Sequence, residues 1–394
     1  MVEWKTIEEI GSFFGGLTGK TKEDFEDGNA KFITYMNVFA NSSLNPSVVG
    51  VVKINEGEKQ NKVQKGDILF TGSSETPEET GMSCVVTEDL DGDFYMNSFC
   101  FGLRLFSPEQ YNLHFLKHLL RSESVRKSIA KTASGVTRFN ISKARFSKIQ
   151  IPIPSLSEQE RIVGILDTFT SAIENLKSQI ANRRKQYEHY RDQLLDLEGK
   201  EGVEMKTLGE VCDFVRGPFG GALKKEIFVE SGYAVYEQQH AIYGQWVFRY
   251  FIDKMKFQQM KRFEVHTGDI LMSCSGTMGK TSIIPKNHKE GIINQALLKL
   301  SVKKNVCNSY VKLFMDSRWF QEGLMKKTSG GAIQNVASVS ILKDLEIPLH
   351  SLSEQSRIVS ILDTFEASIA NLEAQLKERE KQYEYYRNKL LTFE

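Results

Sequence analysis

Several absences narrow the class of this sequence at once. No stretch of 18 apolar residues occurs, and Met1-Val2-Glu3-Trp4-Lys5 lacks the charged-then-apolar order of a secretory leader, so neither a membrane span nor export is expected. The five cysteines (Cys84, Cys100, Cys212, Cys274 and Cys307) are scattered, odd in number and never spaced C-x-x-C. This excludes a zinc ribbon or a disulfide scaffold and suits a reducing cytoplasm. Catalytic motifs fail at identifiable residues. Gly279-Lys280-Thr281 ends like a phosphate-binding loop, but Cys274 stands where the first glycine is needed, and Phe14 does the same to Gly19-Lys20-Thr21. His114 and His118 lie one helical turn apart, with Phe115 where a zinc-protease helix needs glutamate. There is no G-x-S-x-G or G-x-G-x-x-G, and Asn45-Pro46 runs on into Ser47-Val48 rather than into the Pro-aromatic pair of an amino-methyltransferase. Neither a catalytic residue nor a metal site is expected in this chain.

What is present suffices for two or three domains: 394 residues, 40% of them hydrophobic and 26% charged, which also excludes a disordered or collagen-like chain. A net charge of +1 hides an uneven distribution. Residues 1–100 hold 8 bases and 17 acids, whereas residues 117–148 hold nine bases (Lys117, Arg121, Arg126, Lys127, Lys131, Arg138, Lys143, Arg145, Lys148) against Glu123 alone. Residues 201–346 hold 20 bases and 15 acids. Clustered positive charge on a neutral chain is what a nucleic-acid face needs, although a basic helix facing water gives the same pattern.

An internal repeat organises everything else. Residues 151–195 and 347–391 align without a gap at an offset of 196, with 28 of 45 positions identical. The shared core reads Ser155-Leu156-Ser157-Glu158-Gln159, Arg161-Ile162-Val163 and Ile165-Leu166-Asp167-Thr168-Phe169, repeated from Ser351 to Phe365. Between the copies the echoes are faint: Lys5-Thr6-Ile7 with Lys206-Thr207-Leu208, and Gly66-Asp67-Ile68-Leu69 with Gly268-Asp269-Ile270-Leu271. The chain therefore divides into a first domain at 1–150, a connector at 151–200, a second domain at 201–346 and a second connector at 347–394.

Both connectors are predicted helices. Pro152 and Pro348 stop helix upstream, Ser157 and Ser353 are available as N-caps, and Glu158 and Glu354 suit the first turn. Apolar residues then alternate four and three apart: Ile162, Leu166, Phe169, Ile173, Leu176, Ile180, then Tyr187, Tyr190 and Leu194. The copy runs Ile358, Leu362, Phe365, Ile369, Leu372, Leu376, then Tyr383, Tyr386 and Leu390. A 3.5-residue period sustained this long marks a coiled-coil seam. Arg183 and Arg379 interrupt it at equivalent places, either fixing register or snorkelling out. Because domain termini lie close together, the two helices are expected to run antiparallel with a domain at each end. The seam from Ile162 to Leu194 would rise about 48 Å at 1.5 Å per residue. That spacing suits two contacts about one DNA turn (roughly 34–36 Å) apart.

The duplicated S-L-x-E-Q-x-R-I-V-x-I-L-D element after each of two divergent domains resembles the specificity subunit of type I restriction-modification systems. The second domain resembles that family's target-recognition domains through Gly217-Pro218-Phe219-Gly220-Gly221, Gln238-Gln239-His240, Ser273-Cys274-Ser275-Gly276-Thr277-Met278-Gly279 and Gly291-Ile292-Ile293-Asn294-Gln295-Ala296-Leu297. The first matches more loosely through Gly16-Leu17-Thr18-Gly19-Lys20, Gly66-Asp67-Ile68-Leu69-Phe70-Thr71 and Ser134-Gly135-Val136. The resemblance implies an α+β fold in which two tandem target-recognition domains are joined by two long helices in an antiparallel, pseudo-twofold coiled coil. It implies that each domain reads half of a bipartite double-stranded DNA target and that the helices fix the gap. It further implies two methylation subunits that bind S-adenosylmethionine and two restriction subunits that use ATP and Mg²⁺, so that no cofactor resides in this chain.

Base-reading residues are candidates by chemistry alone, since loop Arg, Gln, Asn, Ser and Thr reach base edges while Lys and Arg position phosphates. In the first domain these are Ser73, Ser74, Thr76, Thr137, Arg138 and Asn140. In the second they are Gln238, Gln239, Tyr243, Gln245, Arg249, Ser273, Ser275 and Lys280. Arg126, Lys127, Lys131, Lys326 and Lys327 are expected on phosphates. Three other readings remain: a related system with methylation and cleavage on one polypeptide, a coiled-coil scaffold that binds proteins, and a nucleotide site around Lys280.

Overall fold

A computed structural model describes residues 2–196, 201–219, 221–275, 277–326 and 339–393. The chain forms two compact units, Met1–Lys177 with Ala374–Glu394, and Ser178–Glu373. Each unit therefore combines one domain with the first half of one long helix and the second half of the other.

In the first unit, strand Glu3–Thr6 pairs antiparallel with Gln150–Ile153, tying the start of the domain to its exit into the first long helix. An antiparallel sheet follows in the order Gly11–Gly15, Cys100–Leu105, Ile68–Thr71, Ser83–Val85. Beside it, Ala30–Ile33 runs parallel to Phe94–Met96. The second unit repeats this plan: Glu204–Thr207 pairs with Glu346–Leu349, the sheet runs Cys212–Arg216, Leu297–Val302, Ile270–Ser273, Thr281–Ile283, and Tyr233–Tyr236 runs parallel to Gly291–Ile293. The domain boundaries read at 150/151 and 346/347 each fall inside one of these closing strands.

The faint sequence echoes carry the local chemistry that builds both domains. Thr6 and Thr207 each give their backbone N–H and hydroxyl to the glutamate three residues on, Glu9 and Glu210, which pins the turn between the first two strands. Gly66 and Gly268 sit at φ +90° and +87°, left-handed conformations that glycine adopts without strain. The aspartate after each one is buried and caps the same turn. Asp67 accepts the Gln64 amide at 2.9 Å and two bonds from Arg104 at 2.9 and 2.7 Å. Asp269 accepts the His266 amide at 2.8 Å and the Ser301 hydroxyl at 2.6 Å.

The long helices run Leu156–Leu195 and Leu352–Leu390. They begin two residues earlier than Ser157 and Ser353 as caps would place them. The Ser155 and Ser351 carbonyls already accept the amides of Gln159 and Gln355, at 2.9 and 3.0 Å, so the cap shifts to that earlier serine. Ile162 and Leu166 are fully buried among Phe70, Phe101 and Phe146 of the first domain, with Leu391 from the end of the second helix. Ile358 and Leu362 do the same against Tyr310, Phe314 and Phe320 of the second domain, with Leu195 from the end of the first. Each such side chain contributes about 1.5–3 kcal/mol of burial, so helix ends and domain share one core.

Within each unit the helical segments run antiparallel. In the first, Phe169 stacks on Tyr386 at 5.2 Å and Lys177 pairs with Glu380 at 3.4 Å. In the second, the Tyr187 hydroxyl donates to Glu366 at 2.9 Å and Tyr190 packs on Phe365 at 5.4 Å. All predicted seam residues are buried or half-buried except Tyr190 and Tyr386, which are exposed at the rim. Arg183 is half-buried and Arg379 exposed, and their guanidinium carbons lie over the Phe365 and Phe169 rings, at 5.8 and 5.7 Å.

Candidate nucleic-acid interface

The candidate residues of the first domain collect on one small sheet. Strand Ser73–Ser74 pairs with Phe139–Ile141, which pairs with Ala133–Ser134 in a hairpin tipped by residues 135–138. This brings Ser73, Ser74, Thr137, Arg138 and Asn140 together. Arg138 Nε donates to Ser73 Oγ at 3.0 Å, and its guanidinium lies 5.5 Å from the Phe99 ring centre. Thr137, Arg138 and Asn140 are exposed, Ser74 half-buried and Ser73 buried. Thr76 stands exposed beyond the strand and its carbonyl accepts the Thr80 hydroxyl at 2.8 Å.

The phosphate role expected of Arg126 is corrected. Its guanidinium donates to the carbonyls of Gly81, Thr80 and Glu78 at 2.5, 2.6 and 2.8 Å, and burial pulls its pKa down to about 10. It clamps residues 78–81 of the loop that follows Ser73–Ser74 and is not available to phosphate. Arg121 is used likewise, on the carbonyls of Ser83, Val38, Phe39 and Asn41. Lys127 is exposed and pairs with Glu123, and Lys131 is exposed.

In the second domain the equivalent site is built by different side chains. Gln238 donates to the Ser275 carbonyl and accepts the Ser275 hydroxyl at 2.9 Å. In the first domain the Tyr35 hydroxyl donates to the Ser73 carbonyl at 2.8 Å. Tyr35 and Gln238 each open the short helix that follows the parallel strand, Tyr35–Ala40 and Gln238–Tyr243, so they hold the same loop from the same place. Arg249 makes two bonds to Glu237, at 2.8 and 3.2 Å, and Gln239 reaches the same carboxylate at 3.3 Å. Tyr243, Gln245 and Lys280 are exposed. Ser273 is corrected: it is fully buried and its Oγ accepts the Lys280 amide at 3.0 Å, so it shapes the loop instead of facing a ligand. Lys326 is exposed at the end of helix Arg318–Lys326, while Lys327 lies outside the described residues.

The phosphate-loop reading of Lys280 also fails structurally. Gly279-Lys280-Thr281 leads into strand Thr281–Ile283 rather than a helix N-terminus, and the Thr281 hydroxyl is given to Asp316 at 2.7 Å. Among the described residues no group of His, Cys, Asp and Glu could hold a metal ion, and no helix is long and apolar enough to cross a membrane.

Sequence reasoning missed the residues that hold the site, Tyr35, Phe99 and Glu237, and also the glutamines of the repeat, which tie each long helix to its domain. Gln159 accepts the Asn112 amide at 2.8 Å and donates to the Pro154 carbonyl at 2.9 Å. Gln355 accepts the Cys307 amide at 2.9 Å and donates to the His350 carbonyl at 2.7 Å. Their identity in both copies was the signal. A second junction lies on the first helix, where His118, fully buried, meets Asp167 at 2.7 Å and Tyr383 at 2.9 Å. Burial lowers the His118 pKa despite Asp167. Burial alone would raise the Asp167 pKa, but the bonds from His118 and Lys117 outweigh it and bring it down to about 2.

The comparisons agree with this architecture. The family model for the type I restriction modification DNA specificity domain matches residues 1–183 and again 200–381. A type I restriction enzyme specificity subunit of Escherichia coli is 32% identical over 271 residues, covering 64% of this chain and 65% of that subunit. A putative type I restriction enzyme specificity subunit of Haemophilus influenzae is 29% identical over 409 residues, covering 100% and 96%. Two solved structures share the fold. A chain from a type I restriction-modification assembly has a TM-score of 0.65 at 18% identity, covering 99% and 97%, and the S subunit from M. genitalium has 0.51 at 17%, covering 100% and 97%. With two matched DNA specificity domains, each closed by its own copy of the repeat, the chain belongs to the type I restriction-modification specificity family as a DNA-recognition subunit without a catalytic role.

Proposed function

We propose that each domain reads one half of a bipartite DNA target, that the paired helices set the unread gap, and that the same helices dock methylation subunits. The observation that carries this is a contrast between the conserved and the diverged parts of the two copies. The anchors are the same in both: Gln159 and Gln355, the closing strands, and the seam. The loops of the two domains present different chemistry, Arg138 with Phe99 in one and Gln238 with Ser275 in the other. Two unlike readers on like supports suit an asymmetric target.

Docking is supported by exposed features that recur. Leu156 and Leu352 are 45% and 46% exposed at the first turn of each helix. Beside them, Arg161 and Arg357 hold Glu158 and Glu354 by two bonds each in the open. Solvent alone does not require an apolar residue at both places, whereas two copies of one partner do. In this proposal two methylation subunits bring S-adenosylmethionine, two restriction subunits bring ATP and Mg²⁺, and this chain supplies recognition only. The test is mapping of N6-methyladenine in the host genome with and without this gene, its partner genes intact. A split motif with a fixed gap that vanishes on deletion is expected; an unchanged methylation map would overturn the proposal.

A further inference from the structure

We infer that Arg138 reads a guanine in the half-site met by the first domain, positioned by Phe99 and Ser73. This rests on the DNA-reading function proposed above and adds the side chain and the base to it. Between residues 1 and 150 there are five arginines: Arg104, Arg121, Arg126, Arg138 and Arg145. Four of them bind the protein through terminal nitrogens. Arg104 bonds Asp67 at 2.7 Å, Arg121 the Asn41 carbonyl at 2.8 Å, Arg126 the Gly81 carbonyl at 2.5 Å and Arg145 the Thr132 carbonyl at 2.9 Å. Arg138 differs: its bond to Ser73 uses Nε, and neither terminal nitrogen meets an acceptor among the described residues. Among the described residues no carboxylate pairs with it either, in contrast to Arg249 on Glu237.

The guanidinium is nevertheless held. Phe99, 57% exposed, places its ring against it, and Ser73 is itself fixed by strand pairing to Asn140 and by the Tyr35 hydroxyl on its carbonyl. The hairpin tip closes on Gly135 at φ +151°, where a Cβ would lie 2.0 Å from the Arg138 carbonyl oxygen. A planar fork with Nε tied and both terminal N–H groups unbonded matches N7 and O6 of guanine in the major groove. Tethering it in advance reduces the side-chain entropy lost on contact. A phosphate contact needs only a positive charge and would not need the tether.

The test uses the chain in the complex it forms with its co-purifying subunits, as wild type, Arg138→Ala and Arg138→Lys, each used to select from a pool of random DNA duplexes. Both variants are expected to lose preference for guanine at one position of one half-site, roughly 5- to 150-fold, with the other positions retained. Lysine keeps the charge and should not rescue. Phe99→Ala should weaken preference at that same position, which a merely structural role would not single out. Uniformly weaker binding that Arg138→Lys restores, with every position still selected, would make Arg138 a phosphate contact and overturn the inference alone. Unchanged selection by both variants would do the same. A wild-type complex that enriches no sequence would overturn the DNA-reading proposal as well.

Discussion

The side chain of Gln159 accepts the backbone N–H of Asn112 at 2.8 Å, across 47 residues of sequence. Both of its polar ends are engaged and it is 1% exposed, as is Gln355 in the second unit. An apolar replacement of similar size would leave the part-buried Asn112 amide without this partner. Such a group costs about 1–3 kcal/mol. Gln159→Leu should therefore lower the urea midpoint of unfolding and speed hydrogen exchange at the Asn112 amide. A midpoint equal to wild type would show that the junction does not depend on this bond.

The repeat was legible because its residues do the same work twice. Identity across 28 of 45 positions and a 3.5-residue period were enough to place both helices. The sites were less legible, because a side chain's chemistry does not say where its polar atoms go. Arg126 and Lys127 are neighbours in one basic run, yet one is sunk under three carbonyls and the other stands in water. Ser273 and Ser275 are two residues apart, and only the first, at the end of its strand, is sealed in the core. Tyr35 and Gln238 do equivalent work with unrelated side chains, which no comparison of residue types would have paired.

The His118 cluster makes the first unit sensitive to acid. Asp167 stays ionised, so neutral His118 donates its Nε2 proton to Asp167 and accepts the Tyr383 hydroxyl at Nδ1. Its folded pKa lies below the ordinary value of about 6.5 because burial penalises the cation; Lys117 and Arg387 add to that, while Asp167 opposes it. As pH falls through about 6.5 the unfolded chain takes up a proton that the folded chain refuses, so stability is lost there and downward. Asp167 adds a second loss only between the usual carboxylate range and about 2. His118→Gln should be less stable than wild type at pH 7.5, with the difference narrowing at pH 5.5. A pH-independent difference in urea midpoint would show that folding does not lower the His118 pKa.

Lys326 is exposed in the last turn of its helix and is expected to meet phosphate. Removing one phosphate contact lowers the slope of log affinity against log salt by about 0.9. Lys326→Ala in the purified complex should weaken binding to every duplex alike and flatten that slope, leaving the selected sequence intact. An unchanged slope would exclude the contact.

The proposed gap-setting role of the helices makes the sharpest demand on geometry. Removing residues 176–182 and 372–378 together takes one heptad from each helix at equivalent positions and preserves the seam, because seven residues return the same face. Each helix shortens by about 10.5 Å at 1.5 Å per residue. That corresponds to about three base pairs at 3.4 Å each. Three base pairs also rotate the DNA by nearly a third of its 10–10.5 base-pair turn. A left-handed supercoil with a pitch on the order of 150 Å turns far less over that distance. The shortened protein must then either accept a gap shorter by about three base pairs, with both half-sites unchanged and at reduced affinity, or lose recognition. Methylation mapping of a host carrying only the shortened gene separates these outcomes from the one that would exclude a ruler, namely the original gap retained at full occupancy.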